Sequence, residues 1–272
     1  MDADPIDSLP PPVMHAAAKP PRLPAEARRP DLGAAVSIIV LYFVLQFFAT
    51  SLIGILFGIA GSIRLGIRAS FQQVITQPDI RLLMVILGLV IAATVTLWLI
   101  RRWWPAMWSQ AAPPGFGWHA PRHAGEYAIA LALGLAMPIV GGMLTVALAH
   151  GHPVPQDVKQ MLDNAAPSLR IGLTLLVISL GPLVEELLFR GVLLSALLRH
   201  VRTGWAIALS AALFALIHLP DLSFLWYGLP NLALLGAAVA WLRLRAGSIW
   251  PAVLAHAINN LFAVTIWLFV AH

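Results

Sequence analysis

The stretch Gly181-Pro182-Leu183-Val184-Glu185-Glu186-Leu187-Leu188-Phe189-Arg190-Gly191 places two adjacent carboxylates and an arginine inside a long apolar run. The run, about residues 169–198, exceeds the roughly 20 residues that cross a bilayer. Because an ionisable group at membrane depth is energetically expensive, its presence there indicates a functional site. Proline removes a backbone donor and clashes with the preceding turn, so Gly181-Pro182 predicts a kink near the middle of the run.

The composition is that of a polytopic membrane protein. Of the 272 residues, 60% are hydrophobic and 11% are charged, whereas about 25% are charged in a typical soluble domain. The net charge of +5 comes from basic residues that lie mostly in short loops beside apolar segments. The positive-inside rule explains this distribution better than nucleic-acid binding does, so we expect a lipid bilayer and no nucleic acid as partners. Without cysteine, the chain has no disulfides or thiolate chemistry, and a metal site must use His, Asp, Glu or Asn.

Three regions are predicted along the chain. Residues 1–33, rich in proline, alanine and charge, are expected to be a disordered tail and not a signal peptide. Residues 34–168 contain predicted spans at about 34–63, 81–100 and 124–149, with a surface-lying amphipathic piece at 64–80. Residues 169–272 contain the kinked fourth span and three more, at about 204–219, 224–242 and 249–270. The predicted fold class is all-α, a polytopic transmembrane helical bundle of about seven to eight spans.

The basic residues also predict an orientation. With Arg190 inside the membrane, eleven of the 17 Lys and Arg residues lie on the inner side and five on the outer side if the N-terminus is inside. The positive-inside rule therefore predicts a cytoplasmic N-terminus for a multi-pass protein of the cell membrane.

Three further polar side chains share the depth of the glutamate pair. His218 stands near the end of the fifth predicted span, and His256 and Asn260 stand in the seventh. At 1.5 Å per residue, all of these groups fall within a band about 8 Å thick. A spacing of four places Glu186 with Arg190, and His256 with Asn260, on common helix faces. We therefore expect three helices to converge on one polar site.

The two glutamates are predicted to play different parts. Adjacent carboxylates in an apolar environment cannot both be buried as free anions, because they repel each other and lose their hydration. Arg190 can hold Glu186 ionised on the shared helix face. This leaves Glu185, offset by about 100° around the helix, to hold a proton or to activate water.

The remaining side chains leave alternatives open. His218 could be a second base or a metal ligand, and His256 with Asn260 could donate to an oxyanion at a scissile carbonyl. Glu185, His218 and His256 could together bind Zn²⁺, but a His-Glu-x-x-His motif is absent. We expect no obligatory metal.

At these residues the sequence resembles the CPBP family of intramembrane proteases, named for CAAX-processing and bacteriocin-processing enzymes and also called the Abi family. In that family three motifs lie on separate transmembrane helices: Glu-Glu-x-x-x-Arg, Phe-x-x-x-His and His-x-x-x-Asn. Here they are residues 185–190, 214–218 and 256–260, and the resemblance, closest to type II CAAX prenyl endopeptidases, covers about residues 169–270. It implies a membrane-embedded endopeptidase whose water is activated by Glu185 and His218. It further implies oxyanion stabilisation by His256 and Asn260, with Glu186 and Arg190 orienting the site.

Two other functions are compatible with the sequence. Chains of buried Glu and His also mark proton-coupled transporters, and a catalytically idle membrane scaffold or immunity protein could keep the same fold. The paired donors of His256 and Asn260 favour a protease, because a proton relay does not need them. The expected partner is a membrane-associated peptide or protein substrate. The sequence predicts neither the residues that bind it, nor whether it is prenylated, nor the oligomeric state.

Overall fold

The computed structural model describes residues 29–65, 71–152 and 165–270, so most of the predicted N-terminal tail lies outside the described residues. Within those ranges the chain is helical, which confirms the predicted all-α fold class. The α-helices are, in chain order, α1 Leu32–Leu65, α2 Phe71–Ile75, α3 Pro78–Trp103, α4 Gly125–Ala149, α5 Pro167–Ile178, α6 Leu180–Glu186, α7 Leu194–Leu197, α8 Thr203–Leu216, α9 Leu229–Ala246 and α10 Trp250–Val270. A π-helix, Leu187–Leu193, joins α6 to α7.

Five segments of the described chain are long and apolar enough to cross a membrane. They are α1, α3, α4, the segment Pro167–Leu197 that contains α5 to α7, and Trp226–Ala246, which ends with α9. The fifth and seventh predicted spans correspond to α8, with 14 residues, and α10, with 21 residues. A helix of 14 residues extends about 21 Å, less than the roughly 30 Å of a hydrocarbon core. The end of α8, just before His218, can therefore lie at membrane depth.

The segment between the first two spans packs back on α1. The predicted surface piece at 64–80 is shorter in the structure, because α1 continues to Leu65 and α3 already begins at Pro78. Residues 66–70 lie outside the described ranges. In α2, the Phe71 ring and Val74 cover Gly58 and Gly61 of α1 so closely that an added Cβ would lie 2.2 and 2.7 Å from them.

The fourth span is broken where the proline predicts a kink. α5 ends at Ile178, α6 begins at Leu180, and Ser179 between them has a non-helical backbone (φ −130°, ψ −78°). Pro182 stands in the first turn of α6, as predicted. Because proline has no N–H, the carbonyl of Ile178 loses its donor one turn ahead, and the helix can change direction there.

The second half of this broken span forms the centre of the molecule. Every residue from Glu186 to Leu197 is buried, and the surrounding helices are α1, α8 and α9. The charged groups of the glutamate stretch are therefore enclosed by protein.

Small residues on α4 let α9 and α10 approach it closely. A Cβ added to Gly134 would lie 2.8 Å from the Ala255 carbonyl oxygen and 2.7 Å from Cβ of Ile258, both on α10. A Cβ added to Gly141 would lie 1.7 Å from Oδ1 of Asn231 on α9. Because Ala255 adjoins His256, this crossing fixes the position of a predicted site residue.

We expect Gly134→Ala to destabilise the protein, because the new methyl group must displace the backbone of α10. Overpacking of this kind costs about 1–3 kcal/mol. Gly142→Ala is the matched control, since nothing lies within 4 Å of its added Cβ, and alanine is the better helix former by about 1 kcal/mol. Thermal unfolding in detergent micelles compares the two variants. Equal stability of both would show that the crossing of α4 and α10 is not tightly packed.

Candidate active site

The buried carboxylate of Glu186 accepts two hydrogen bonds on one oxygen. Nη1 of Arg190 donates to Oε1 over 3.0 Å, and Nδ1 of His256 approaches the same oxygen at 2.8 Å. Glu186 and Arg190 have no exposed side-chain surface. The predicted contact between Glu186 and Arg190 is therefore present. His256 also contacts Glu186, a partner that the sequence did not indicate.

This network joins three parts of the fold. Arg190 donates from Nη2 to the carbonyl of Gly236 on α9, over 2.9 Å, while His256 belongs to α10. Gly236 permits the approach, because an added Cβ would lie 3.2 Å from Nη2 of Arg190 and 3.0 Å from Cα of Ala211. The carboxylate thus fixes the π-helix against two neighbouring helices.

Arg190 lies within the π-helix, which starts immediately after Glu186. π-Helical turns are rare and occur frequently at functional sites. The wider turn changes the directions of the side chains from Leu187 onward, although the pairing of Glu186 with Arg190 across four residues is kept. The sequence contains no signal that predicts this turn.

Glu185 faces the two histidines. Its Oε2 lies 3.9 Å from Nε2 of His218 and 3.8 Å from Nε2 of His256. The Glu185 side chain keeps 19% of its surface exposed and that of His218 keeps 21%, whereas Glu186 is fully enclosed. The structure therefore brings the predicted groups of three helices together, with Glu185 on the accessible side and Glu186 on the buried side.

The partners of the two histidines determine which ring nitrogens carry hydrogen. Nδ1 of His218 lies 2.8 Å from the carbonyl oxygen of Phe214, and since a carbonyl can only accept, Nδ1 is the donor. Nδ1 of His256 lies 2.8 Å from Oε1 of Glu186, the oxygen that also accepts from Arg190, so Nδ1 is the donor there. In their neutral forms both rings therefore turn an unprotonated Nε2 towards Glu185.

One aromatic ring holds the site together. The centroid of the buried Phe214 ring lies 4.9 Å from that of His218, 5.6 Å from that of His256 and 5.3 Å from that of Phe189. Cζ of Arg190 lies 4.5 Å from the same centroid, within cation–π range. The sequence analysis did not predict Phe214 as a site residue. The signal that could have indicated it is its place as the first residue of the Phe-x-x-x-His motif.

Asn260 contacts the break in the fourth span. Its Nδ2 donates to the carbonyl of Val177, over 3.0 Å, in the last turn of α5, and its Oδ1 accepts from Asn259. The side-chain amide carries two hydrogens, so one N–H is left for another acceptor. His256 and Asn260 lie one turn apart on α10, as predicted, but their hydrogen bonds go to different helices.

The described residues contain no group of three or more His, Asp or Glu side chains arranged to hold a metal ion. The candidates Glu185, His218 and His256 therefore do not form a ready zinc site, although each histidine lies within 4 Å of Oε2 of the glutamate.

A cavity of about 570 Å³ lies beside the site. It is bounded by α4, by the break between α5 and α6, and by α10, and its lining is almost wholly apolar. Leu183 and Ala257, which line it, are close in sequence to Glu185 and His256.

Residues 167–262 match the family model described as Type II CAAX prenyl endopeptidase Rce1-like. This segment is Rce1-like. The match confirms the resemblance drawn from the three motifs, and it spans the chain from the start of α5 into α10. Neither the curated proteins nor the solved structures include a significant match. Five segments of the described chain are long and apolar enough to cross a membrane, and together with the Rce1-like segment they support a membrane protein.

We expect Arg190→Met to be strongly destabilising, because it leaves the Glu186 carboxylate buried beside one remaining partner. Breaking a buried ion pair in this way costs about 3–5 kcal/mol. The double variant Glu186→Gln with Arg190→Met should recover part of that loss, since no buried charge is left without its counter-ion.

Arg245→Met is the control for that experiment. Arg245 pairs with Glu126 over 3.1 Å, and 48% of the arginine side chain is exposed although only 7% of the glutamate side chain is. Water reaches this pair from the arginine side and screens it, so we expect a smaller loss of stability than for Arg190→Met. Unfolding in detergent measures all of the variants. If Arg190→Met were no more destabilising than Arg245→Met, the buried network would not be a structural requirement.

Proposed function

We propose that this protein is an intramembrane endopeptidase that hydrolyses a peptide bond of a membrane-associated protein or peptide. The observation that carries the proposal is the position of Glu185, with Oε2 less than 4 Å from Nε2 of both His218 and His256 inside an apolar helical bundle. The Rce1-like segment supports it, because the matched model describes endopeptidases.

In the proposed reaction Glu185 is the general base. A water molecule between Glu185 and His218 can donate one hydrogen to the carboxylate and the other to Nε2 of the ring, which orients its oxygen for attack. Glu185 takes a proton as the water oxygen bonds to the carbonyl carbon, and the carbonyl π electrons move to the oxygen. When the tetrahedral intermediate collapses, the C–N bond breaks and Glu185 returns the proton to the amine. The products are a carboxylic acid and an amine, and transfer of the acid's proton to the amine leaves a carboxylate and an ammonium group.

His256 and Asn260 are the proposed donors to the oxyanion. Since Nδ1 of His256 donates to Glu186, the ring can donate to an oxyanion from Nε2 only when both ring nitrogens carry hydrogen. Asn260 can donate through its second N–H. Glu186 and Arg190 are proposed as positioning residues, because they hold the His256 ring and its Nδ1 hydrogen in place.

The substrate is proposed to reach the site from the bilayer or from the inner face. Glu185 and His218 are each about a fifth exposed, while most large exposed side chains of the surrounding spans are apolar. A peptide segment held at membrane depth can approach such a site without carrying bulk water with it. Because the N-terminus is predicted to be cytoplasmic, the inner face is the membrane face on which the N-terminus lies.

We expect Glu185→Gln, His218→Ala and His256→Ala each to reduce cleavage by about 10²–10³-fold, as removal of a single transition-state group commonly does. The measurement uses protein reconstituted in liposomes with two kinds of peptide. One is farnesylated and ends in a Cys-aliphatic-aliphatic-X sequence, and the other is an unprenylated single-span peptide. His200→Ala, an exposed residue outside the site, is the matched control.

The possible outcomes separate the alternatives. Cleavage that persists in the Glu185 variant would remove this residue as the base. Absence of cleavage by the wild type together with Glu185-dependent proton uptake in the same liposomes would favour a transporter. Absence of both activities would favour an idle scaffold or immunity protein.

We also expect a zinc chelator to leave cleavage unchanged, because the three candidate ligands do not form a group arranged for a metal ion. The same liposome assay, run with a chelator and then with added Zn²⁺, checks this. Loss of cleavage on chelation and its recovery with Zn²⁺ would show that Glu185, His218 and His256 rearrange to bind the metal.

A further inference from the structure

Asn259 is a polar residue of α10 that has no part in the proposed reaction. It stands directly before Asn260 in an otherwise apolar turn, and its side chain is partly buried. Asparagines in membrane-spanning helices commonly hydrogen-bond to a neighbouring helix. Asn259 instead donates from Nδ2 to Oδ1 of Asn260, over 3.3 Å. Among the side chains that the structure describes, it has no hydrogen-bond partner on another helix.

The side-chain amide of Asn260 is held at both of its ends. The carbonyl of Val177 can only accept, so the atom of Asn260 that lies 3.0 Å from it is the nitrogen. Oδ1 of Asn260 therefore points the other way, towards the donor on Asn259. A hydrogen bond to the nitrogen alone would leave the plane of the amide free to turn about that bond. The second bond, to the oxygen, fixes the plane and with it the direction of the remaining N–H.

Asn260 lies between the broken span and the histidine that faces Glu185. Val177 belongs to the last turn before the break, which bounds the cavity of about 570 Å³. On α10, Ala257 lines the same cavity. One turn before Asn260, Nε2 of His256 lies 3.8 Å from Oε2 of Glu185. The remaining N–H of Asn260 is therefore fixed in direction on the helix that borders both the cavity and the proposed base.

We propose that Asn259 is a positioning residue, which orients the Asn260 amide so that its remaining N–H meets the oxyanion formed at the scissile carbonyl. This inference rests on the proposed endopeptidase function, in which Asn260 donates to that oxyanion. Asn259 itself contacts neither the substrate nor the attacking water. It acts by holding the donor in place before charge develops, since a preorganised donor needs no reorganisation at the moment of reaction.

The alternative is that Asn259 only stabilises α10. A residue that acts through Asn260 loses its effect when the Asn260 amide is removed, whereas a residue that stabilises the helix by itself keeps its effect. Comparing the two single variants with the double variant separates these cases, because it measures the interaction between the two side chains.

The test compares Asn259→Leu, Asn260→Leu and the double variant, since leucine keeps the branched shape of asparagine without its polar atoms. The proteins are reconstituted in liposomes with whichever of the farnesylated and single-span peptides the wild type cleaves. We expect Asn259→Leu to lower kcat by about 10–100-fold with KM nearly unchanged. Asn260→Leu should lower kcat by about 10²–10³-fold, and the double variant no further. Thr265→Val, at an exposed position of the same helix, is the matched control and should retain wild-type kcat.

Thermal unfolding in detergent gives a second measurement that does not need cleavage. Asn259→Leu leaves Oδ1 of Asn260 without its donor, so Tm should fall. In the Asn260→Leu background that oxygen is absent, and adding Asn259→Leu should not lower Tm. If Asn259→Leu does not fold, Asn259→Ala, which adds no apolar bulk, replaces it in both measurements. Equal losses of Tm in the two backgrounds would overturn the assignment, even if the wild type cleaves neither peptide.

The kinetic outcomes distinguish the two levels of the proposal. Wild-type kcat in Asn259→Leu, or an equal fall in kcat when Asn259→Leu is added to Asn260→Leu, overturns only the role of Asn259. Wild-type kcat in Asn260→Leu overturns the proposed donor and, with it, the residue that would orient it. Full activity of Glu185→Gln in the same assay overturns the proposed function itself.

Discussion

The structure depends on a carboxylate that is buried where water cannot reach it. The burial of the Glu186 carboxylate depends on the hydrogen bonds that Arg190 and His256 donate to it, and each donor belongs to a different part of the bundle. Arg190 in turn needs the Gly236 carbonyl and the face of Phe214. Loss of Arg190 or His256 would leave the Glu186 carboxylate buried with too few hydrogen bonds. Few other packings of the helices supply both donors, so this network restricts how the helices pack. Glu185, the proposed base and the immediate neighbour of Glu186, is positioned by the same requirement.

The same network gives the two glutamates different environments. Oε1 of Glu186 accepts two hydrogen bonds and its side chain is enclosed, whereas Glu185 is partly accessible and faces Nε2 of both histidines. A charged structural group and an accessible acid–base group thus stand side by side in the chain. Glu185 and Glu186 are successive residues of α6, so their side chains point about 100° apart, one into the buried core and the other towards the two histidines.

Much of this arrangement could be predicted from the sequence, because membrane depth is a strong constraint. Counting residues along each apolar run placed Glu185, His218 and His256 at one level, and Pro182 indicated the break. The contact of His256 with Glu186 could not be predicted, since it depends on the angle at which α10 crosses the fourth span. The π-helix was also missed, because it leaves no residue pattern distinct from that of an ordinary apolar helix.

Glu185 is the proposed base that turns water into the nucleophile. Isotope labelling tests this role most directly. The peptide substrate is cleaved in heavy-oxygen water by wild type and by Glu185→Gln, and the new carboxylate is analysed by mass spectrometry. We predict that the wild type incorporates one heavy oxygen from solvent into the new carboxylate and that Glu185→Gln forms almost no product. Product formed at the wild-type rate by Glu185→Gln, or a new C-terminus without solvent oxygen, would contradict the account.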